Sequence, residues 1–266
     1  MPRSTIPKST IAVINQKGGV GKTTTSAAIL HAARLRGLMP LGIDLDPQAN
    51  LTAYLGGDGA KPGAAGLIMN QAPLSKSVQR VRGIDLVASC IDLAASDIAL
   101  ASKIGRDGIL KRALGREGRY ELAVIDTPPG LGSLLFNALV AADYAIVSTN
   151  AECFAVDKTL EVSETVEQIR ECAGGDLSIL GVVVTRWQGR TRVQQDFDEA
   201  LKEWSTALGI PILGHVRQTV IVQEAQALGE SVFEYRPQSG ASRDYVKVCE
   251  AVFEALRIGR GDHGAA

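Results

Sequence analysis

The chain has 266 residues and a formal net charge of −1, with 45% apolar and 21% charged residues. That length accommodates one large domain or two small ones around a sizeable core. The balanced charge excludes a molecule basic throughout, so any nucleic-acid contact requires a local patch, and no stretch approaches the roughly 18 apolar residues of a membrane span.

Met1 to Thr10 is polar and holds Pro2 and Pro7, which reads as a flexible arm over 1–9 and not as a signal sequence. Cys90, Cys153, Cys172 and Cys249 are far apart and form no C-x-x-C pair. They predict buried, reduced thiols in a cytosolic protein. The first strand is expected over Thr10–Asn15, leading through a glycine-rich turn into a helix over Lys22–Arg36. A strand over Pro40–Asp44 follows, and Gly56 to Gly66, rich in Gly and Ala, reads as a loop or short irregular insertion. Further strands are predicted over Ile84–Ala88, Leu122–Asp126, Tyr144–Thr149, Ile179–Thr185 and Ile212–Val216. Helical patterns alternate with them over Leu93–Ala101, Gly132–Ala141, Val156–Glu171 and Val193–Leu208. A last one, Arg243–Ile258, places Val246, Val248, Cys249, Val252, Phe253 and Leu256 on one broad apolar face, as expected of a core helix and not of a membrane anchor. The final residues 259–266 read as a frayed tail.

Several of these strands are apolar on both faces, the pattern of strands covered by helices on each side. Strand–helix alternation predicts an α/β fold: one domain over 10–258, with a mostly parallel central sheet flanked by helices on both faces.

Residues 15–24 read Asn-Gln-Lys-Gly-Gly-Val-Gly-Lys-Thr-Thr, a variant of G-x-x-x-x-G-K-[ST] with Gln16 at the first-glycine position and a surplus Lys17. A strand that ends in such a loop and opens a helix converges backbone N–H groups and the helix dipole on one spot. Gly18, Gly19 and Gly21 allow close approach to phosphate oxygens. Lys22 supplies a point charge for the β- and γ-phosphates, and the Thr23 hydroxyl suits Mg²⁺. Asp126, closing an apolar strand before Thr-Pro-Pro-Gly, can hold the metal's water shell. Asp44 and Asp46 lie at i and i+2, so both point toward the phosphates if the strand persists that far; an Asp-Pro turn in solvent is the alternative. Either could orient or deprotonate an attacking water. Lys17 has three destinations: its own phosphates, a partner's phosphates, or solvent.

The segments Lys17 to Thr24, Asp44-Leu-Asp46-Pro-Gln48 and Val124-Ile-Asp126-Thr-Pro-Pro129 together resemble the ParA/Soj family of deviant Walker A partition ATPases, relatives of MinD. The likeness covers roughly residues 10–258. It implies nucleotide contacts from Lys17, Gly18, Gly19, Val20, Gly21, Lys22, Thr23, Thr24 and Asp126, with Mg²⁺ held by Thr23, Asp46 and Asp126. It also implies catalytic roles for Lys17, Lys22 and Asp46, with Lys17 reaching the partner's phosphates in an ATP-bound sandwich homodimer. Hydrolysis would be slow unless a partner and nucleic acid stimulate it. The implied setting is cytoplasmic and nucleoid-associated, with non-specific duplex DNA and a centromere-binding ParB-like protein as partners and no membrane. The alternative is a MinD-like ATPase that positions a membrane-bound or protein cargo.

Thr185 to Arg192 carries Arg186, Arg190 and Arg192 without an acid, a candidate for phosphate contacts or a solvated loop. Arg190 matches a DNA-contacting arginine of Soj-like members. Ile221 stands where those members place another arginine, which moves the expected footprint toward Arg217, Arg243 and Lys247. The P-loop begins by residue 17, so the DNA-reading helix-turn-helix domain of larger plasmid relatives, and operator binding with it, is not expected.

Overall fold

The computed structural model describes residues 9–59, 62–100, 105–115, 119–151, 166–167 and 176–258. Its strands are β1 (Thr10–Ile14), β2 (Pro40–Asp44), β3 (Val78–Val81), β4 (Ile84–Val87), β5 (Leu122–Asp126), β6 (Tyr144–Asn150), β7 (Ser178–Trp187) and β8 (Ile212–Arg217). The described helices are α1 (Lys22–Leu35), α2 (Asn50–Leu55), α3 (Gly63–Ile68), α4 (Leu74–Ser77), α5 (Asp92–Leu100), α6 (Ile109–Leu114), α7 (Ser133–Ala141), α8 (Arg192–Leu208), α9 (Val220–Ala227), α10 (Val232–Tyr235) and α11 (Gly240–Ala255).

All eight strands form one sheet in the order β3-β4-β2-β5-β1-β6-β7-β8. Every neighbouring pair is parallel except β3 with β4. The predicted α/β architecture is therefore the observed one. Side chains alternate across it with the period of two that a strand imposes. Ala12 and Ile14 of β1, with Ala123 and Ile125 of β5, join a core whose helical side is lined by Leu67, Leu93, Leu110, Leu134, Leu201 and Trp204. Ile11, Val13, Leu122 and Val124 face the opposite core, completed by Ile29, Leu30, Leu51, Tyr245, Val252 and Phe253. Strands buried on both faces have no room for alternating polar residues, which explains their continuous apolar runs.

Each of the seven predicted strands is present. The antiparallel β3 escaped the sequence reading because Val78-Gln-Arg-Val81 is half polar and only partly buried. Its hairpin signal is the Arg82-Gly83 turn, where both residues have positive φ (47° and 83°), the twist that a two-residue hairpin loop requires. On β4, Asp85 gathers the Arg80 guanidinium at 2.7 Å and the Tyr120 hydroxyl at 2.9 Å, so this edge is closed by a polar network. The segment read as a loop from Gly56 to Gly66 instead gives rise to α3, whose Ala64, Leu67 and Ile68 are buried; small residues let its backbone sit close beneath Ala88. The expected helix over 156–171 lies outside the described residues except for Val166 and Glu167.

The terminal helix α11 packs Val248, Cys249, Val252 and Phe253 into the core, whereas Val246, expected on that face, is exposed. No helix among the described residues is long and apolar enough to cross a membrane. Cys249 is buried and Cys90 half-buried, and Cys153 and Cys172 lie outside the described residues, as do the tail over 259–266 and all of the arm expected over 1–9 except Ser9, which is buried.

Candidate nucleotide-binding site

The loop between β1 and α1 is set by its backbone. Gly21 has φ 84°, no side chain caps α1, and its first turn contains no acid. The first-turn N–H groups and the positive end of the helix dipole are left for an anion. Gly21 is also sterically fixed, because a Cβ there would lie 2.8 Å from Thr185 Cγ2.

Neighbouring strands hold the loop from behind. Ser148 Oγ on β6 donates to the Val20 carbonyl at 2.7 Å, and Thr185 Oγ1 on β7 donates to the same oxygen at 2.9 Å. Asn15 Oδ1 accepts from the Lys17 N–H at 2.8 Å, and its Nδ2 donates to the Ser148 carbonyl at 2.9 Å. None of these three supports belongs to a motif, because each acts on main-chain groups. The readable hint was the polar Ser-Thr-Asn ending of the apolar strand β6.

Lys22 and Lys17 diverge. Lys22 is buried and donates from Nζ to the Lys17 carbonyl at 3.2 Å, and Lys17 is exposed. Burial pushes the Lys22 ammonium below its ordinary pKa, and the charges of Asp126 and Asp46 oppose that shift.

Asp126 is fully buried at the end of β5 and accepts from Thr23 Oγ1 at 2.7 Å and Ser26 Oγ at 3.0 Å. Ser26 was missed by the motif reading, although its i+3 spacing from Thr23 puts both hydroxyls on one face of α1. Asp44 stands in register with Asp126 across β2 and β5. Burial first, and the like charge of Asp44 second, push the Asp126 carboxyl well above the usual range; burial raises Asp44 as well.

The two acids of the Asp44-Leu-Asp46 segment do not share a face. β2 ends at Asp44, whose oxygens accept from the Asp46 N–H at 3.1 Å and from Thr52 N and Oγ1, each at 2.8 Å. Asp44 thus ties α2 to the sheet, and Asp46 lines the cleft. Asp46 is steadied by Ser89 Oγ donating to its carbonyl at 2.7 Å and by its own Oδ1 accepting from Gln48 N at 2.9 Å. This geometry leaves Asp46, not Asp44, available to a water in the cleft.

Among the described residues no three His, Cys, Asp or Glu side chains are grouped to hold a metal ion. The donors here are the Thr23 hydroxyl and the carboxylates of Asp126 and Asp46, oxygens only. That sparse set fits Mg²⁺, which keeps several waters and takes its remaining ligands from phosphate oxygens. The ion would be held by Thr23 and, through its water shell, by Asp126 and Asp46, and would neutralise charge on the β- and γ-phosphates.

The cleft encloses about 530 Å³, lined by the loop (Gly18, Gly19, Gly21, Lys22, Thr23, Thr24) and by Asp46 and Pro129. It continues past Thr185 and Arg186 to Arg217, Gln218, Val222, Gln223 and Tyr245. Two of the six basic residues expected on a DNA surface therefore face this cleft. Arg186 stands over the loop, with Nη2 3.7 Å from the position of a Cβ on Gly19. Arg217 is paired with Asp244 through Nε at 2.6 Å and Nη2 at 2.9 Å. Arg190 and Arg192 are exposed between β7 and the first turn of α8, and Arg243 and Lys247 are exposed one turn apart on α11.

An AAA-domain family model matches residues 8–179. The chromosome-partitioning ATPase Soj of Thermus thermophilus is 35% identical over 249 residues, covering 93% of this chain and 96% of that protein. The chromosome partitioning protein ParA of Caulobacter vibrioides is 30% identical over 259 residues, with 94% and 96% covered. Among solved structures, cobyrinic acid a,c-diamide synthase of Mycobacterium smegmatis with bound ADP and magnesium superposes with a TM-score of 0.80 at 31% identity, covering 95% of this chain and 96% of that one. Because the likeness to partitioning ATPases extends over nearly the whole chain and not over the loop alone, the chain belongs to the Soj/ParA family of P-loop partition ATPases.

Proposed function

We propose that this ATPase is an ATP-dependent dimerisation switch that binds duplex DNA without sequence preference and drives the segregation of a plasmid or chromosome. The observation that carries the reading is the divergence of the two loop lysines. Lys22 is buried against the loop it serves, and Lys17 is exposed beside it with its main-chain N–H fixed by Asn15. A second cation presented outward at a phosphate site suits delivery to the γ-phosphate of a second copy, where such a finger contributes about 10³–10⁵ in rate.

In this reading Mg²⁺·ATP binds along Gly18 to Thr24, with Thr23, Asp46 and Asp126 holding the ion and its water shell and Asp46 also orienting the attacking water. The γ-phosphate favours the dimer and hydrolysis releases it, a differential affinity for two assembly states. A centromere-binding ParB-like protein accelerates the step, and the dimer is nucleoid-associated.

Arg186, Arg190, Arg192, Arg217, Arg243 and Lys247 form the DNA-contacting set, of which Arg186 and Arg217 also line the nucleotide cleft. That sharing of cations with the cleft favours a second reading, in which the switch positions a protein cargo in place of a replicon. Binding of random-sequence duplex DNA, measured with ATP, ADP and no nucleotide across a salt series, decides between them. ATP-dependent affinity that falls steeply with salt is expected, because each neutralised phosphate adds about 0.9 to the log–log slope. An ATP-bound dimer with no affinity at low salt overturns the replicon reading.

A further inference from the structure

The distal end of the cleft carries a flat cation whose geometry is unusual for a surface arginine. Arg217 closes β8, and its guanidinium is gripped edge-on by Asp244 of α11: Nε donates to Oδ2 at 2.6 Å and Nη2 to Oδ1 at 2.9 Å. The Arg217 main-chain N–H also donates to Asp244 Oδ2, at 3.1 Å. One face of the plane is covered as well. A Cβ built on Gly240 would lie 2.5 Å from Nη1, 2.6 Å from Cζ and 2.6 Å from Nε. Near-equal distances to three atoms place Gly240 beneath the plane, not at its edge. Yet the side chain remains 53% exposed, and it lines the same cleft as the phosphate loop. The pinned guanidinium therefore offers its other face to that space.

Phosphate chemistry fixes what lies there. The terminal phosphate belongs beside Thr23, Asp46 and Asp126, so the nucleoside must run the other way along the cleft, past Thr185 toward Val216–Thr219, Val222 and Tyr245. We propose that Arg217 is the stacking platform for the nucleobase, with Asp244 and Gly240 as the positioning residues that hold its plane. Guanidinium planes stack on aromatic faces, and a platform whose rotamer is already fixed loses little entropy on binding. The same pairing removes Arg217 from the DNA surface, because its charge and two of its donors are committed to Asp244. A stacking contact of this kind favours the larger purine face over a pyrimidine.

The test compares ATP, CTP and inorganic tripolyphosphate, each titrated calorimetrically with Mg²⁺ into the full chain. The wild type is expected to bind ATP more tightly than CTP; equal affinities overturn the platform without any variant. Arg217→Lys keeps a charge for Asp244 but has no plane. It should weaken ATP about three- to tenfold, weaken CTP less, and leave tripolyphosphate unchanged. Gly240→Ala retains every charge and displaces the plane, and should act in the same direction. Equal losses for ATP and tripolyphosphate would make Arg217 a simple charge and sink the proposal. So would unchanged ATP affinity accompanied by loss of duplex DNA binding at saturating ATP, the result that restores Arg217 to the DNA surface.

Discussion

The Val20 carbonyl is a single buried acceptor served by two hydroxyls, and this makes a sharp energetic test. Ser148→Ala or Thr185→Val removes one donor and leaves the other, at 2.9 Å or 2.7 Å, in place. Each change should cost about 1 kcal/mol, the net worth of an ordinary hydrogen bond. The Thr185 hydroxyl also reaches the Thr149 carbonyl at 3.1 Å, so its single proton is shared and its loss should not be the larger of the two.

The double variant differs in kind. Val20 is 1% exposed, so its carbonyl would be buried without a donor, adding about 1–3 kcal/mol of desolvation to the sum of the singles. Urea unfolding without nucleotide should therefore give about 3–5 kcal/mol for the pair where additivity gives about 2. Thermal midpoints should fall by about 2–4 °C for each single and by about 6 °C or more for the double. A double-mutant cycle closing to within about 0.5 kcal/mol would refute the shared-acceptor reasoning.

Other outcomes follow from the same structure. Lys17→Gln should bind ATP and lose about 10³-fold in partner-stimulated turnover, and unchanged stimulation would remove Lys17 from catalysis; Asp46→Ala should trap a species whose solution mass doubles with ATP and stays doubled. Burial pushes the His31 imidazole down from 6.5 to about 4, and neither ring nitrogen has a hydrogen-bond partner among the described residues. Between those two values the unfolded chain binds a proton that the folded chain refuses, so stability present above pH 6.5 is lost as the pH falls. From pH 7 to pH 5 this amounts to about 2 kcal/mol, and His31→Leu should abolish that share of the slope in urea melts. Tyr120→Phe, which deletes the hydroxyl at 2.9 Å from Asp85, should cost about 1 kcal/mol and leave ATP affinity untouched.

The parts legible in the sequence were those that repeat or cluster. Apolar runs such as Leu122–Asp126 had to be strands covered on both sides, and the Lys-Gly-Gly-Val-Gly-Lys-Thr-Thr run had to meet an anion. Pairings set by distant partners were not legible. Nothing local distinguishes Arg217 from Arg243, and only the fold brings Asp244 against the edge of one of them and leaves the other exposed on the helix. Asp44 and Asp46 show the same limit. Their spacing puts two acids on one face of a strand, but the strand stops at the first, and Thr52, eight residues on, turns it into a structural anchor. Short polar elements such as β3 carry too few apolar residues for periodicity to register, although the Arg82-Gly83 turn announced the hairpin.

The sheet order has a consequence for where the molecule can move. β1, which ends in the phosphate loop, lies between β5 and β6, with further strands beyond each. Amide protons of Ile11–Ile14 should therefore exchange with solvent only through global opening, the slowest class. β8 has a neighbour on one side alone, and α11 rests on it. Local opening, and whatever breathing accompanies nucleotide release, belongs to such a margin: the chain grips the phosphates from a strand flanked on both sides and meets the rest of the nucleotide at an edge of the sheet.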